Sequence, residues 1–127
     1  MVEDYVSFET AKLLKEKGFN ENCSRSYVKD KLVVSQGFNN SYYTTMYSDD
    51  CYRPVSAPTL QMAMKQLREV HKLEIYPYHQ YSQDGNNWWF EIVEFPGPVS
   101  EYESNAIYAT YEEACEAAIK YCLENLI

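Results

Sequence analysis

The chain has 127 residues and a formal net charge of −8; 46% of it is apolar and 16% aromatic, with 13 Tyr. This length fits one domain spanning residues 1–127, and such a domain buries roughly two thirds of its unfolded-chain surface without help from disulfides or metal. The charge balance argues against direct nucleic-acid binding, which needs Lys and Arg to displace counterions, and no apolar run approaches the roughly 20 residues of a membrane span.

The charge is unevenly spread. Residues 1–90 carry 11 Asp+Glu against 10 Lys+Arg, while residues 91–127 carry 8 Glu and a single base, Lys120. The acidic excess therefore belongs to the last third. It serves solubility, and it also offers a surface to a basic partner. The start, MVEDYVSFE, is acidic and lacks the apolar core of a signal peptide. A cytoplasmic protein without membrane association is expected, and its cysteines, Cys23, Cys51, Cys115 and Cys122, are then reduced thiols.

The first element is a helix in SFETAKLLKEKGF. Ser7 is its N-cap, with Glu9 in the positively polarised first turn. Gly18 suits the left-handed C′ position, where Phe19 can pack back on Leu14. Next, YVKDKLVVSQ and SYYTTMYS flank the turn-like GFNN and read as a hairpin. Cys23 and Cys51 lie in polar, loop-like stretches and cannot be paired from sequence. A second helix follows in SAPTLQMAMKQLREVHKL, with Ser56 as cap and Pro58 in the first turn. Its apolar stripe is Leu60, Ala63, Met64, Leu67 and Val70, and Lys65, Arg68 and Lys72 form a basic ridge off that stripe.

LEIYPYHQYS and NNWWFEIVEF then flank QDG as a second hairpin. Pro77 cannot donate to a ladder, so its strand belongs at an edge or a bulge. A short strand is expected in ESNAIYA. The last helix is TYEEACEAAIKYCLENLI, with Thr110 and Glu113 as a capping box. Its apolar face holds Ala114, Ala117, Ala118, Ile119, Tyr121, Cys122 and Leu126. Cys115 and Cys122 share that face as small apolar groups. Glu112, Glu116 and Glu124 fall toward solvent as an acidic face.

The order is α-ββ-α-ββ(β)-α. It predicts an α+β fold, with an antiparallel sheet of about four strands from two hairpins and three helices mainly on one face.

The adjacent tryptophans must point to opposite faces of their strand. Trp88, Phe90 and Ile92 form an uninterrupted apolar set and should meet the helices, together with Leu73, Ile75, Pro77 and Tyr81. The other set mixes Trp89, Val93 and Phe95 with Glu91, and continues across the hairpin as Glu74, Tyr76 and Tyr78. This outer face makes Trp89, Tyr76, Tyr78 and Phe95 the candidate binding residues, possible companions being Tyr42, Tyr43 and Tyr47. Cross-strand aromatic pairs also stabilise a hairpin by about 0.5–1.5 kcal/mol each, so packing explains the same residues.

Little in the sequence carries chemistry. There is no Gly-rich phosphate loop, no Gly-x-Ser-x-Gly elbow, no Cys-x-x-Cys and no His-x-x-x-His. No catalytic residue, metal ligand or cofactor is assigned. Asp49–Asp50 and Glu112–Glu113 are adjacent carboxylates, which diverge and make no acid/base dyad. His71 and His79 lie on different elements. Three readings follow. The chain is a non-enzymatic interaction or accessory module for a protein partner or a second copy of itself. It is an acidic inhibitor or DNA mimic that acts through Glu112, Glu116 and Glu124. Or it is a small-ligand binder or cryptic enzyme using His79, Tyr78 and Trp89.

The stretches VSFETAKLLKEKGF, APTLQMAMKQLREVHKLEI and TYEEACEAAIKYCLENLI resemble a family of small proteins of gut Bacteroidales genomes, often found near phage-like or mobile DNA. The resemblance spans all three helices. It implies no activity and no ligand, so no residue inherits a role from it.

Overall fold

The computed structural model describes residues 4–21, 23–28, 31–34, 55–82, 85–97, 99–104 and 106–127. They adopt an α+β fold. Among the described residues, three α-helices accompany two three-stranded antiparallel sheets, so those strands are divided between two sheets rather than gathered into one of four. The chain forms two compact units, residues 1–59 and 60–127.

In the first unit, helix α1 runs Phe8–Glu16. Ser7 caps it as expected, its Oγ accepting from the Thr10 N–H at 3.2 Å. The C-terminal end closes with two bonds: Gly18 N–H donates to Lys15 O at 3.2 Å and Phe19 N–H to Leu14 O at 2.9 Å. This is the paired capping pattern that needs a left-handed residue, and Gly18 supplies it at φ 99°. Phe19, Leu14 and Ala11 are buried. Val6, fully buried just ahead of the helix, donates its N–H to Pro58 O at 3.0 Å.

The first hairpin differs from the sequence reading. Strand β1 is Arg25–Val28 and strand β2 is Lys31–Val34, paired from Arg25↔Val34 to Val28↔Lys31. YVKDKLVV thus folds back on itself rather than running as one strand. Apolar residues at both ends of the charged Lys29-Asp30 pair gave the appearance of continuity. The expected partner SYYTTMYS, the GFNN turn and Cys51 lie outside the described residues. Strand β3, Val55–Ser56, pairs with the other edge of β1. Tyr27 ties β1 to the segment before α1: its hydroxyl donates to Val6 O at 2.7 Å and its ring meets Phe8 edge-on at 5.4 Å.

Ser56 is therefore a strand residue opposite Ser26, not a helix cap. Ala57 and Pro58 are buried and extend the strand's path, with Ala57 N–H donating to Arg25 O at 3.0 Å. A residue before proline is pushed away from helical backbone, so Ala57 cannot begin the helix and the start moves on to Leu60.

In the second unit, helix α2 spans Leu60–Val70 and buries Leu60, Ala63, Met64 and Leu67. Val70, expected on the same stripe, is instead 58% exposed at the last helical position. Strands β4 (Leu73–Ser82) and β5 (Gly85–Glu94) pair over their full length, from Leu73↔Glu94 to Ser82↔Gly85. Strand β6, Val99–Glu103, pairs with β5 on its other side. It lies four residues earlier than the expected ESNAIYA, of which Tyr108 contributes only an isolated bridge to Trp88. In the sheet order β4-β5-β6, β4 is an edge, which is where Pro77 is tolerated.

Helix α3 spans Tyr111–Tyr121 and continues into a wider π-helical turn, Cys122–Leu126. Thr110 Oγ1 accepts from Glu113 N–H at 3.1 Å, and the Glu113 carboxylate accepts from Ala109 N–H at 3.2 Å. The expected capping box is thus present, with its return bond one residue before the cap. The buried stripe is Ala114, Cys115, Ala118, Ile119, Cys122 and Leu123. Ala117, Tyr121 and Leu126 are only half-buried at its margin. Helices α2 and α3 both pack against the sheet, whose buried face carries Ile75, Phe90 and Ile92.

Candidate functional site

The period-2 alternation of β4 and β5 sorts their side chains as the sequence reading expected. Leu73, Ile75, Phe90 and Ile92 are buried. On the opposite face Tyr76 is 38% and Tyr78 39% exposed. Tyr78 faces Trp89 directly across the ladder, and the two rings stack at 4.4 Å between centroids and 19° between planes. Trp89 is half-buried in this stack. Val93, further along the same face, is buried, and Phe95, beyond the end of β5, is half-buried. Tyr76, Tyr78 and Trp89 therefore form the aromatic patch, and Phe95, past the end of β5 with Glu91 and buried Val93 between it and Trp89, is not brought to it.

Carboxylates border that patch. Tyr76 is paired with Glu91, and Glu91 with Glu103 of β6. The Tyr78 hydroxyl donates to Glu91 Oε1 at 3.3 Å. The Tyr78 phenol is pushed above its ordinary value, first by partial withdrawal from water and then by the negative charge of Glu91, with smaller effects from Tyr76 and Glu103. Glu74 belongs to the same row and meets Arg68 of α2 at 3.5 Å. The expected basic ridge is thus partly turned to the sheet, and Lys72 Nζ donates to Glu69 O at 3.0 Å.

At the far end of β5 a bulge leaves Glu101 as the extra residue between Ser100 and Tyr102. Its carboxyl hydrogen-bonds with that of Glu94, and this bond, followed by desolvation and the Glu94 charge, raises its pKa. Both side chains are exposed.

The other candidate residues are placed differently. Glu112 and Glu124 are exposed, and Glu124 meets Lys120 at 3.9 Å. Glu116, expected in solvent with them, is half-buried. It flanks the buried stripe, next to Cys115 in sequence and three residues from Ile119. His79 does not join Tyr78 and Trp89. It lies on the opposite face of β4, with its ring 4.8 Å from that of Trp88. Consecutive strand residues point to opposite sides, so the sheet itself separates the members of that trio.

Sequence reasoning missed the aromatic cluster on the helix side of the sheet. Trp88 meets Tyr111 edge-on at 5.3 Å, and Tyr102 stacks on Tyr121 at 3.8 Å. Phe90 lies between Tyr102 and Tyr108, at 5.8 and 6.0 Å. Trp88 and Tyr108 exchange two backbone hydrogen bonds of 2.8 and 2.7 Å. The Tyr111 hydroxyl accepts from Gln61 Nε2 at 3.0 Å. The signal for this cluster was the spacing of Tyr102 and Tyr108 around a strand beginning at Val99. Placing that strand late hid it, along with Glu103.

Cys23, Cys115 and Cys122 are buried free thiols. Burial pushes Cys23 and Cys115 up to about 11 and Cys122 up to about 12. These are poor nucleophiles near neutral pH, because the thiolate is the reactive form. Among the described residues, no group of three or more His, Cys, Asp or Glu is arranged to hold a metal ion. Among those residues, too, no helix is long and apolar enough to cross a membrane. Compared with protein-family models, curated proteins and solved structures, the chain matches none.

Proposed function

We propose that the chain is a non-catalytic protein-interaction module whose contact surface is the outer face of the β4-β5-β6 sheet. The observation that carries this reading is the Tyr78–Trp89 stack with Tyr76 beside it, aromatic area left partly open to water on a sheet whose other face is filled by its own helices. Tyr and Trp supply large, stiff contact area at low entropic cost and are enriched at interface centres. An accessory role on a mobile element agrees with the resemblance of the helix sequences.

The acidic helix is a less favourable surface. Glu116 is half-buried and Glu124 has Lys120 beside it, so Glu112, Glu116 and Glu124 do not stand out together as a row of bare charge. A small-ligand site built on His79, Tyr78 and Trp89 is disfavoured by the sheet that lies between His79 and the other two.

The test is affinity capture at two salt concentrations, using wild type, Tyr76→Ala, Trp89→Ala and a triple Gln replacement of Glu112, Glu116 and Glu124. A stoichiometric partner lost with the two aromatic replacements and kept by the Gln variant is the expected result. Loss with the Gln variant and at high salt alone transfers the function to the acidic helix. If folded wild type retains no partner, the interaction reading fails.

A further inference from the structure

Resting on the reading of the outer sheet face as a contact surface, we propose that its occupant is a basic segment of a partner protein, with an Arg or Lys side chain seated against the Tyr78–Trp89 stack and its charge met by Glu91 and Glu103. The register brings these groups together. Tyr78 lies opposite Trp89, and Glu91 lies opposite Glu103 one ladder step of the same face away. Like charges directly opposite each other destabilise a sheet, and a cation between them would turn that repulsion into attraction. Among the described residues, the hydrogen-bond donor to the Glu91 carboxylate is neutral, the Tyr78 hydroxyl. Arg68 of α2 reaches the same row of carboxylates only at Glu74, 3.5 Å away.

The aromatic part of the patch has the same preference. A ring face carries negative potential and attracts a guanidinium or ammonium group. The Tyr78 phenol is raised first by its partial withdrawal from water and then by the charge of Glu91, the same carboxylate that would meet the cation. Residues 91–127, with 8 Glu and one Lys, extend that field over the unit and would speed the encounter with a positively charged chain. The patch runs across all three strands, a width of about 10 Å from strand spacing. This suits an extended peptide segment better than a lone cation, and its sign excludes a phosphate backbone.

The probe is a capped Gly-Arg-Gly-Arg-Gly peptide, beside its Lys and Gln counterparts and free spermidine, titrated into the full chain while the Trp89 indole N–H and the Tyr76 and Tyr78 rings are followed by NMR. The Arg peptide should shift these signals and the Gln peptide should not. Trp89→Ala should weaken the Arg peptide about two- to fivefold. Glu91→Gln with Glu103→Gln should weaken it about two- to tenfold while leaving the Trp88 indole signal in place as a control on folding. Glu112→Gln with Glu124→Gln, which lie off the patch, should slow association slightly and change the affinity by less than about twofold.

Shifts confined to α3, binding unaffected by the Glu91 and Glu103 replacements, or no shift at all would each overturn the proposal. So would spermidine binding as tightly as the Arg peptide, which would make the site one for free polyamines. The capture experiment separates the two levels of the argument. A partner lost with Trp89→Ala but kept by the Glu91 and Glu103 double replacement leaves the contact surface standing and removes its cation. A partner indifferent to Trp89→Ala removes the surface itself.

Discussion

At Gly18 the backbone has φ 99°, and a Cβ added there would meet no atom within 4 Å. Gly18→Ala therefore probes backbone conformation without a steric clash. The left-handed region costs a residue with a side chain about 1–2 kcal/mol, and urea unfolding should show a loss of that size. Thr110 is a second single-residue device. Its hydroxyl satisfies the Glu113 N–H, and Thr110→Ala should cost about 1 kcal/mol by the same measurement. The buried cysteines give a prediction of rate. Cys23, Cys115 and Cys122 are buried, and all three are raised to about 11 or 12. Iodoacetamide at neutral pH should leave them unmodified in the native chain and label them in urea, as read by intact mass. Rapid native labelling at any of the three would contradict their burial.

The elements differ in how far they could be read from sequence. Helices α1 and α3 carry their own boundary signals in Ser7, Gly18, Thr110 and Glu113, and local hydrogen bonds place those boundaries regardless of the rest of the molecule. The start of α2 was misread because Ser56 looks like a cap while Pro58 forces Ala57 to stay extended. The β4-β5 hairpin was legible because its two faces alternate cleanly. The β1-β2 hairpin was not, because the fold-back of YVKDKLVV depends on pairing rather than on a glycine-marked turn. The candidate site follows the same division. Tyr76, Tyr78 and Trp89 were visible from alternation, whereas Glu103 needed the register of β6, a long-range property. The two faces of the sheet should respond unequally to truncation. Ile92 is fully buried, so Ile92→Ala should cost about 2–5 kcal/mol. The stacked pair should show a coupling of about 0.5–1.5 kcal/mol in a double-mutant cycle of Tyr78→Ala and Trp89→Ala. A coupling near zero would mean that the rings do not support each other in solution.

For the molecule as a whole, the buried thiols set a direction for pH dependence. Their folded values of about 11 to 12 lie above the ordinary 9.0. The unfolded chain therefore releases these protons first as pH rises. The stabilisation is fully present below pH 9.0 and is lost progressively through about 11 to 12. Raised phenols at Tyr78, Tyr108 and Tyr111 act in the same direction from their ordinary 10.0. The urea midpoint should thus hold steady through the neutral range and fall on the alkaline side, with Cys122→Ala reducing the slope. A midpoint that rises there would contradict the assigned burial.

The two adjacent tryptophans are the only ones in the chain, and the strand sends them into separate surroundings, Trp89 onto Tyr78 and Trp88 beside His79 and Tyr111. Each face of the sheet thereby has its own intrinsic fluorophore. Trp88→Phe leaves emission that reports the outer surface alone, and Trp89→Phe leaves emission that reports the helix side. The same pair of variants can time occupation of one face and loosening of the other by stopped flow, without any dye attached.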